Sequence, residues 1–255
     1  MARTASFPFF VHMYEMRDSG WKVFETRWRK NILLFCGILY TVMLFQAWDW
    51  RTGPEENGKK EVETVGGLEE LKPKIAITFD DGPHPQFTPQ LLDGLKKRGV
   101  KASFFVIGNL AEASPEILRR QKKEGHLIGN HTYHHVDITK LSDEKARDEI
   151  QRTNETVERI TGEELSFVRP PFGIWQKDLE KELSVIPVLW SVDPLDWTTK
   201  NVDEIVNKVV TQVKENDIIL LHDCYQSSVD AALRIVDILL KEGYEFVTVD
   251  EMILD

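Results

Sequence analysis

The chain sets two carboxylates side by side, Asp80 and Asp81, in TFDDGPHP, where a short β-branched run gives way to a strong turn signal. Neighbouring carboxylates resist joint ionisation unless a cation or a proton-transfer role separates them. The pair therefore calls for a metal ion, and the rest of the chain can be searched for its other ligands. HTYHH supplies imidazoles at His131, His134 and His135. His131 and His135 are four apart, so a helical turn would set both rings on one face; spacing alone leaves His134 as an alternative to His135. Two histidines and an aspartate suit zinc or a related divalent ion, with positions left open for water and substrate. Three further stretches carry residues of the same kind. RPPFG holds Arg169 on a stiff two-proline loop, where its planar fork would clamp a carboxylate. DPLDW offers Asp193, Asp196 and Trp197, and His222 closes IILLH. Each is weak alone: Asp-Gly and Asp-Pro pairs make ordinary turns, loop histidines are often just solvated, and Trp197 or His222 would serve equally as core residues.

Their placement along the chain adds weight. From Lys74 short apolar runs alternate with longer amphipathic segments. The runs KIAITF (74–79), KASFFVI (101–107), HLIGN (126–130), LSFVR (165–169), VIPVLWSV (185–192), DIILLH (217–222) and EFVTV (245–249) read as strands. The segments 88–99, 114–125, 142–162 and 202–216 read as helices, with starts at Ser114-Pro115 and Ser142 and stops at Gly99, Gly125 and Gly162. About seven such units imply a parallel sheet, open or closed into a barrel. The polar stretches fall where the strands end, which is the rim that carries the active site in (β/α) barrels.

Composition narrows the class. The 255 residues are 42% hydrophobic and 29% charged, which fits a globular domain with a sizeable core. A net charge of -10 excludes the basic surface expected of a nucleic-acid binder. The two cysteines, Cys36 and Cys224, are not expected to pair, because Cys36 lies in an apolar segment. That segment, Ile32 to Ala47, follows Arg27, Arg29 and Lys30 and is flanked by Trp28, Trp48 and Trp50. It reads as an uncleaved membrane anchor with interfacial tryptophans, since no small-residue cleavage site accompanies it. The basic flank places the N-terminus in the cytoplasm and the rest of the chain outside. Hence the expected organisation is a cytoplasmic segment (1–30), a transmembrane anchor (31–48), a polar linker (49–72) and a catalytic domain (73–255).

Together, TFDDGPH, HTYHH, RPPFG, DPLDW and IILLH resemble, in order, the motifs of the polysaccharide deacetylase (NodB-homology) domain of carbohydrate esterase family 4, over roughly residues 73–254. The resemblance implies an α/β fold, a distorted (β/α) barrel of about seven parallel strands, here preceded by one transmembrane helix. It implies that Asp81, His131 and His135 hold one divalent metal ion, zinc first, with cobalt or nickel as alternatives. Asp80 would be the general base, oriented by Arg169. The backbone N–H of Phe172 would help to hold the oxyanion, and Leu220 would pack on the acetyl methyl. His222 would protonate the departing amine, kept charged by Asp193, and Trp197 would wall the groove. Thr132 would brace the histidine loop. Phe172 stands where many relatives have Tyr, and Cys224, close to the site, is read as inert. The implied activity is removal of N-acetyl groups from N-acetylglucosamine-type residues of an envelope polysaccharide, peptidoglycan first. Chitin oligomers, another N-acetylhexosamine polymer or O-acetylated xylan are alternatives, as is an inactive glycan-binding protein. The expected partners are the glycan and the lipid bilayer; the sequence sets no oligomeric state.

Overall fold

The computed structural model describes residues 72–175, 179 and 183–254. The expected cytoplasmic segment, anchor and nearly all of the linker lie outside the described residues. Among the described residues no helix is long and apolar enough to cross a membrane.

Seven strands form one parallel sheet: β1 (Lys74–Gly82), β2 (Ser103–Val106), β3 (Leu127–Asn130), β4 (Phe167–Val168), β5 (Ile186–Pro187), β6 (Ile218–His222) and β7 (Glu245–Phe246). The order is β5-β4-β3-β2-β1-β6, with β7 pairing only Lys74 and Ile75 of β1. The chain leaving β5 reaches β6 at an isolated parallel bridge, Val192 to Ile219. Residues 186–192 therefore touch both ends of the order, and the sheet curls toward a barrel. This is the expected α/β architecture, but its last strands are shorter than the apolar runs predict. Pro187 removes a ladder donor from β5, and Val249, expected to end a strand, instead opens a helix.

The helices are α1 (Phe87–Arg98), α2 (Gly108–Ala113), α3 (Pro115–Lys123), α4 (Asp143–Thr161), α5 (Val202–Val210), α6 (Gln226–Lys241) and α7 (Val249–Leu254). Pro115 opens α3, where its missing N–H costs nothing. Gly99 and Gly162, both left-handed, close α1 and α4 by returning their N–H groups to the last turn. α2 and α6 add to the four helical segments that the sequence pattern predicts.

β1 is buried along nearly its whole length, as a central parallel strand covered on both faces must be. Ile75, Ile77 and Phe79 point outward and pack with Leu91, Leu92 and Leu95 of α1, and Phe79 stacks on Phe104 with centroids 5.3 Å apart. Ala76 points inward, in a second cluster with Phe105, Phe167, Val188 and Val249 of α7. On the same inner face, two and four residues further along, come Thr78 and Asp80. The interior thus passes from apolar at the strand starts to polar at the strand ends, where the site lies.

Candidate active site

A strand turns successive side chains to opposite faces, so Asp80 and Asp81 should not meet the same space. The backbone resolves this with a register break between Asp80 and Gly82 and a left-handed Asp81 (φ 68°). The irregularity swings Asp81 to the rim while Asp80 stays on the inner face. Asp80 is 3% exposed, and its Oδ1 accepts a hydrogen bond from Arg169 at 2.8 Å. Arg169 is fully buried and spends its other donors on Thr78 Oγ1 (2.7 Å) and the carbonyls of Val188 and Leu189. Its guanidinium also lies 4.1 Å from the centre of the Phe105 ring. A buried cation satisfied on this many sides is rigid, and it holds Asp80 in one orientation.

Asp81 Oδ1 is buried and accepts no hydrogen bond. It lies 3.4 Å from His131 Nε2 and 3.2 Å from His135 Nε2. One ligand atom from each of the three residues falls within 4.8 Å of the others. Two ligands about 2.1 Å from a tetrahedral cation are about 3.4 Å apart, so an orphaned carboxylate oxygen flanked by two imidazoles at these spacings fits a divalent metal ion. Protonation favours the same role. His131 Nδ1 lies 2.7 Å from the Arg169 carbonyl, which places the proton there and leaves Nε2 as the donor atom. Burial holds the His135 imidazole below its usual pKa, against the pull of Asp81, and so favours its neutral form. Burial works to raise the pKa of Asp81, but His131, with His135 and His222 adding, brings it below the usual carboxylate range.

The two histidines do not meet on a helical turn, as their spacing suggested. They lie in a loop with Thr132 (φ 61°) and His135 (φ 55°) left-handed. Thr132 braces that loop, donating its N–H to Asn130 Oδ1 and accepting from Val136 N. The choice between His134 and His135 is also decided. The His134 ring turns outward to Glu149 at 2.7 Å, and the same carboxylate accepts the N–H groups of Tyr133 and His134.

On the far side His222 ends β6, directly opposite Asp80 in the ladder. Its Nε2 is 4.0 Å from Asp81 Oδ2. Its partner is Asp196 and not the expected Asp193. Asp196 Oδ1 lies 2.7 Å from His222 Nδ1, and Oδ2 accepts the His222 N–H at 2.9 Å. Asp193 instead accepts the N–H of Leu195, two residues on, and shapes the turn that delivers Asp196. Both carboxylates stand in DPLDW, and no local signal distinguishes the turn former from the one it presents. Burial alone would lower the His222 pKa, but the bond and charge of Asp196, with Asp80 and Asp81 adding, push it up to about 9.

Leu220 is buried two residues before His222 and on the same face. Phe172 is 64% exposed, left-handed (φ 64°), with its ring edge-on to His135. Trp197 is exposed and lines a cleft of about 580 Å³ with Phe87, Tyr225 and Asp196. Cys224 lies on the same cleft with its thiol pushed up to about 12, burial first and the nearby Asp81 and Asp223 adding. It is a protonated, weakly nucleophilic thiol. Among the described residues, five of the seven non-glycine residues with positive φ (Asp81, Thr132, His135, Phe172 and Leu195) carry or adjoin this site. Strain of that kind concentrates where a fixed geometry is needed.

Comparison with known proteins agrees with the geometry. The polysaccharide deacetylase family model matches residues 68–188. Peptidoglycan-N-acetylmuramic acid deacetylase PdaC of Bacillus subtilis is 40% identical over 201 residues, which cover 78% of this chain but only 43% of that protein. A peptidoglycan-N-acetylglucosamine deacetylase of Bacillus cereus is 41% identical over 207 residues, 76% of this chain and 97% of that protein. A solved structure of the B. subtilis deacetylase superposes with a TM-score of 0.70 at 41% identity, over 71% of this chain and 90% of that one.

Proposed function

We propose, from the premise that the chain belongs to the polysaccharide deacetylase family, that it hydrolyses N-acetyl groups of N-acetylglucosamine-type residues in peptidoglycan. One observation carries the reading: adjacent carboxylates are split between two duties, Asp80 bound to Arg169 and Asp81 facing two imidazoles, with a charged histidine across from both.

A divalent cation held by Asp81, His131 and His135, zinc before cobalt or nickel, would supply polarisation of the acetyl carbonyl and a water of lowered pKa. Asp80, whose second oxygen is not engaged by Arg169, takes a proton from water as its oxygen bonds to the acetyl carbon. The Phe172 N–H helps to hold the developing oxyanion. The carbon–nitrogen bond then breaks, and His222 gives its proton to the departing amine, leaving acetate and a free amine on the sugar. Asp196 keeps the imidazolium charged and aimed through its paired contacts with Nδ1 and the backbone. Leu220 offers an apolar floor to the methyl, and Trp197 a flat face to the sugar ring.

The names of the similar proteins support peptidoglycan over chitin or xylan, and both the glucosamine and the muramic sugar occur among them. The apolar, basic-flanked segment at residues 31–48 supports an anchor with the catalytic domain outside the membrane, beside such a substrate. Acetate release by the purified, zinc-loaded full chain from N-acetylglucosamine oligomers and from peptidoglycan tests the reading, with Asp80→Asn alongside. Release should collapse in that variant while zinc stays bound. Glycan binding without acetate from the wild-type chain, under zinc, cobalt and nickel, would instead indicate a binding protein.

A further inference from the structure

Asp223 follows His222 and takes no part in the chemistry above, yet it is only 1% exposed. Its Oδ2 accepts a 2.5 Å hydrogen bond from Thr88 Oγ1, in the first turn of α1. Thr88, fully buried, accepts in turn from the His84 N–H at 2.8 Å. Asp223 Oδ1 has no hydrogen-bond partner. The carboxyl rests on Gly82: a Cβ on that residue would fall 2.3 and 2.5 Å from its two oxygens. A buried carboxyl with an unpartnered oxygen costs free energy, and its location here suggests what that cost secures.

Asp81 is left-handed at a break in the ladder, so regular strand pairing does not fix it. On the β2 side the turn is held by the Ile107 N–H, which donates to the Gly82 carbonyl at 2.9 Å. On the β6 side the corresponding support is Asp223. We propose that Asp223 is a positioning residue: wedged on Gly82 and anchored by Thr88 and His84, it sets the Asp81 turn at a fixed distance from His222. The proposal rests on the reading of Asp81 as a metal ligand. It makes the metal centre and the proton donor one mechanical unit, because Asp223 is covalently next to the donor and packed against the turn that carries the ligand. Partners one step removed from a metal ligand typically change affinity by about 10–100-fold when lost.

The test uses the full chain with Asp223→Ala, Asp223→Asn and Thr88→Val, the last nearly isosteric should the alanine variant fail to fold. Zinc affinity is measured by chelator competition, ligand geometry by the visible spectrum of the cobalt-loaded protein, and kcat and KM by acetate release. Asp223→Ala and Thr88→Val should weaken zinc at least about ten-fold, shift the cobalt bands and lower kcat more than they raise KM. Asp223→Asn, which keeps the shape and the acceptor, should recover zinc affinity to within about three-fold of wild type. Folded Asp223→Ala or Thr88→Val with wild-type zinc affinity and cobalt spectrum would overturn the proposal. So would an asparagine variant as impaired as alanine, since charge and not shape would then matter. If the wild-type chain binds zinc but releases no acetate, the functional reading falls while the metal readouts still decide the role of Asp223. Failure of the wild-type chain to bind zinc would overturn both.

Discussion

Replacing Asp196 by Asn keeps the size and a hydrogen-bond acceptor but removes the charge that sustains the His222 imidazolium. The His222 pKa stands at about 9, against a usual 6.5, and Asp196 is the main cause of the rise. A difference of that size is worth about 3 kcal/mol between the two protonation states. Without Asp196 the burial that lowers the pKa is opposed only by the more distant Asp80 and Asp81, so the value should fall back to about 6.5. At pH 8 the protonated fraction then drops from about nine-tenths to about one-thirtieth, a loss of about thirty-fold in kcat/KM from this cause. At pH 6 the same cause removes less than half of the activity. A cation bound beside Asp81 lowers the alkaline limb of both proteins together, so the displacement between them is the quantity to measure. The assay is acetate release from pH 5.5 to 9.5 for wild type, Asp196→Asn and Asp193→Asn. An alkaline limb that stays put in Asp196→Asn, or moves as far in Asp193→Asn, would refute the assignment of the partner.

Arg169→Met should leave Asp80 buried without its cation and destabilise the fold by about 3–5 kcal/mol, read as a lower urea midpoint. In the metal-free protein the raised His222 pKa contributes stability that is fully present below about pH 6.5 and is lost as pH rises to about 9. Unfolding free energies across that window should therefore fall with a slope of up to about 1.4 kcal/mol per pH unit, and Asp196→Asn should flatten it. Stripping zinc with a chelator should lower the unfolding temperature and abolish acetate release, and zinc at a thousand times its Kd should restore about 4 kcal/mol. Gly129→Ala would drive a methyl to 2.5 Å from the Phe105 ring, beneath Arg169, and should cost about 1–3 kcal/mol in the same urea assay.

The strand-end position of the chemistry was legible because each apolar run stops at a polar stretch, and a parallel sheet carries those stops to one rim. Asp81, His131 and His135 could be named because their types and order are shared with a family. The loop that joins the histidines could not be read. Spacing of four fits a helical turn, and only tertiary constraints select two left-handed residues instead. His134 and His135 are distinguished by Glu149, which lies on α4 and far from them in sequence. Asp193 and Asp196 differ in what each side chain faces, and that depends on where the loop closes on β6. Thr88 and Asp223 carried no signal, since a threonine in a first helical turn and an aspartate after a histidine are ordinary. α6 has well-spaced apolar positions, but its start carries no marker: Tyr225 stands at the N-cap without a side-chain cap, and no acidic residue follows in the first turn.

The sheet order has a consequence for biosynthesis. Asp81 lies at the end of β1, and His131 and His135 both follow β3, so all three come from the part of the sheet that leaves the ribosome first. Asp196 and His222 arrive more than sixty residues later, and His222 takes its place only when β6 pairs back to β1. The three proposed ligands are therefore synthesised before the proposed proton donor. Arg169, whose carbonyl meets His131, and Asp223, which rests on the Asp81 turn, also come later, so the geometry of the three proposed ligand side chains waits on the pairing of β4 and β6.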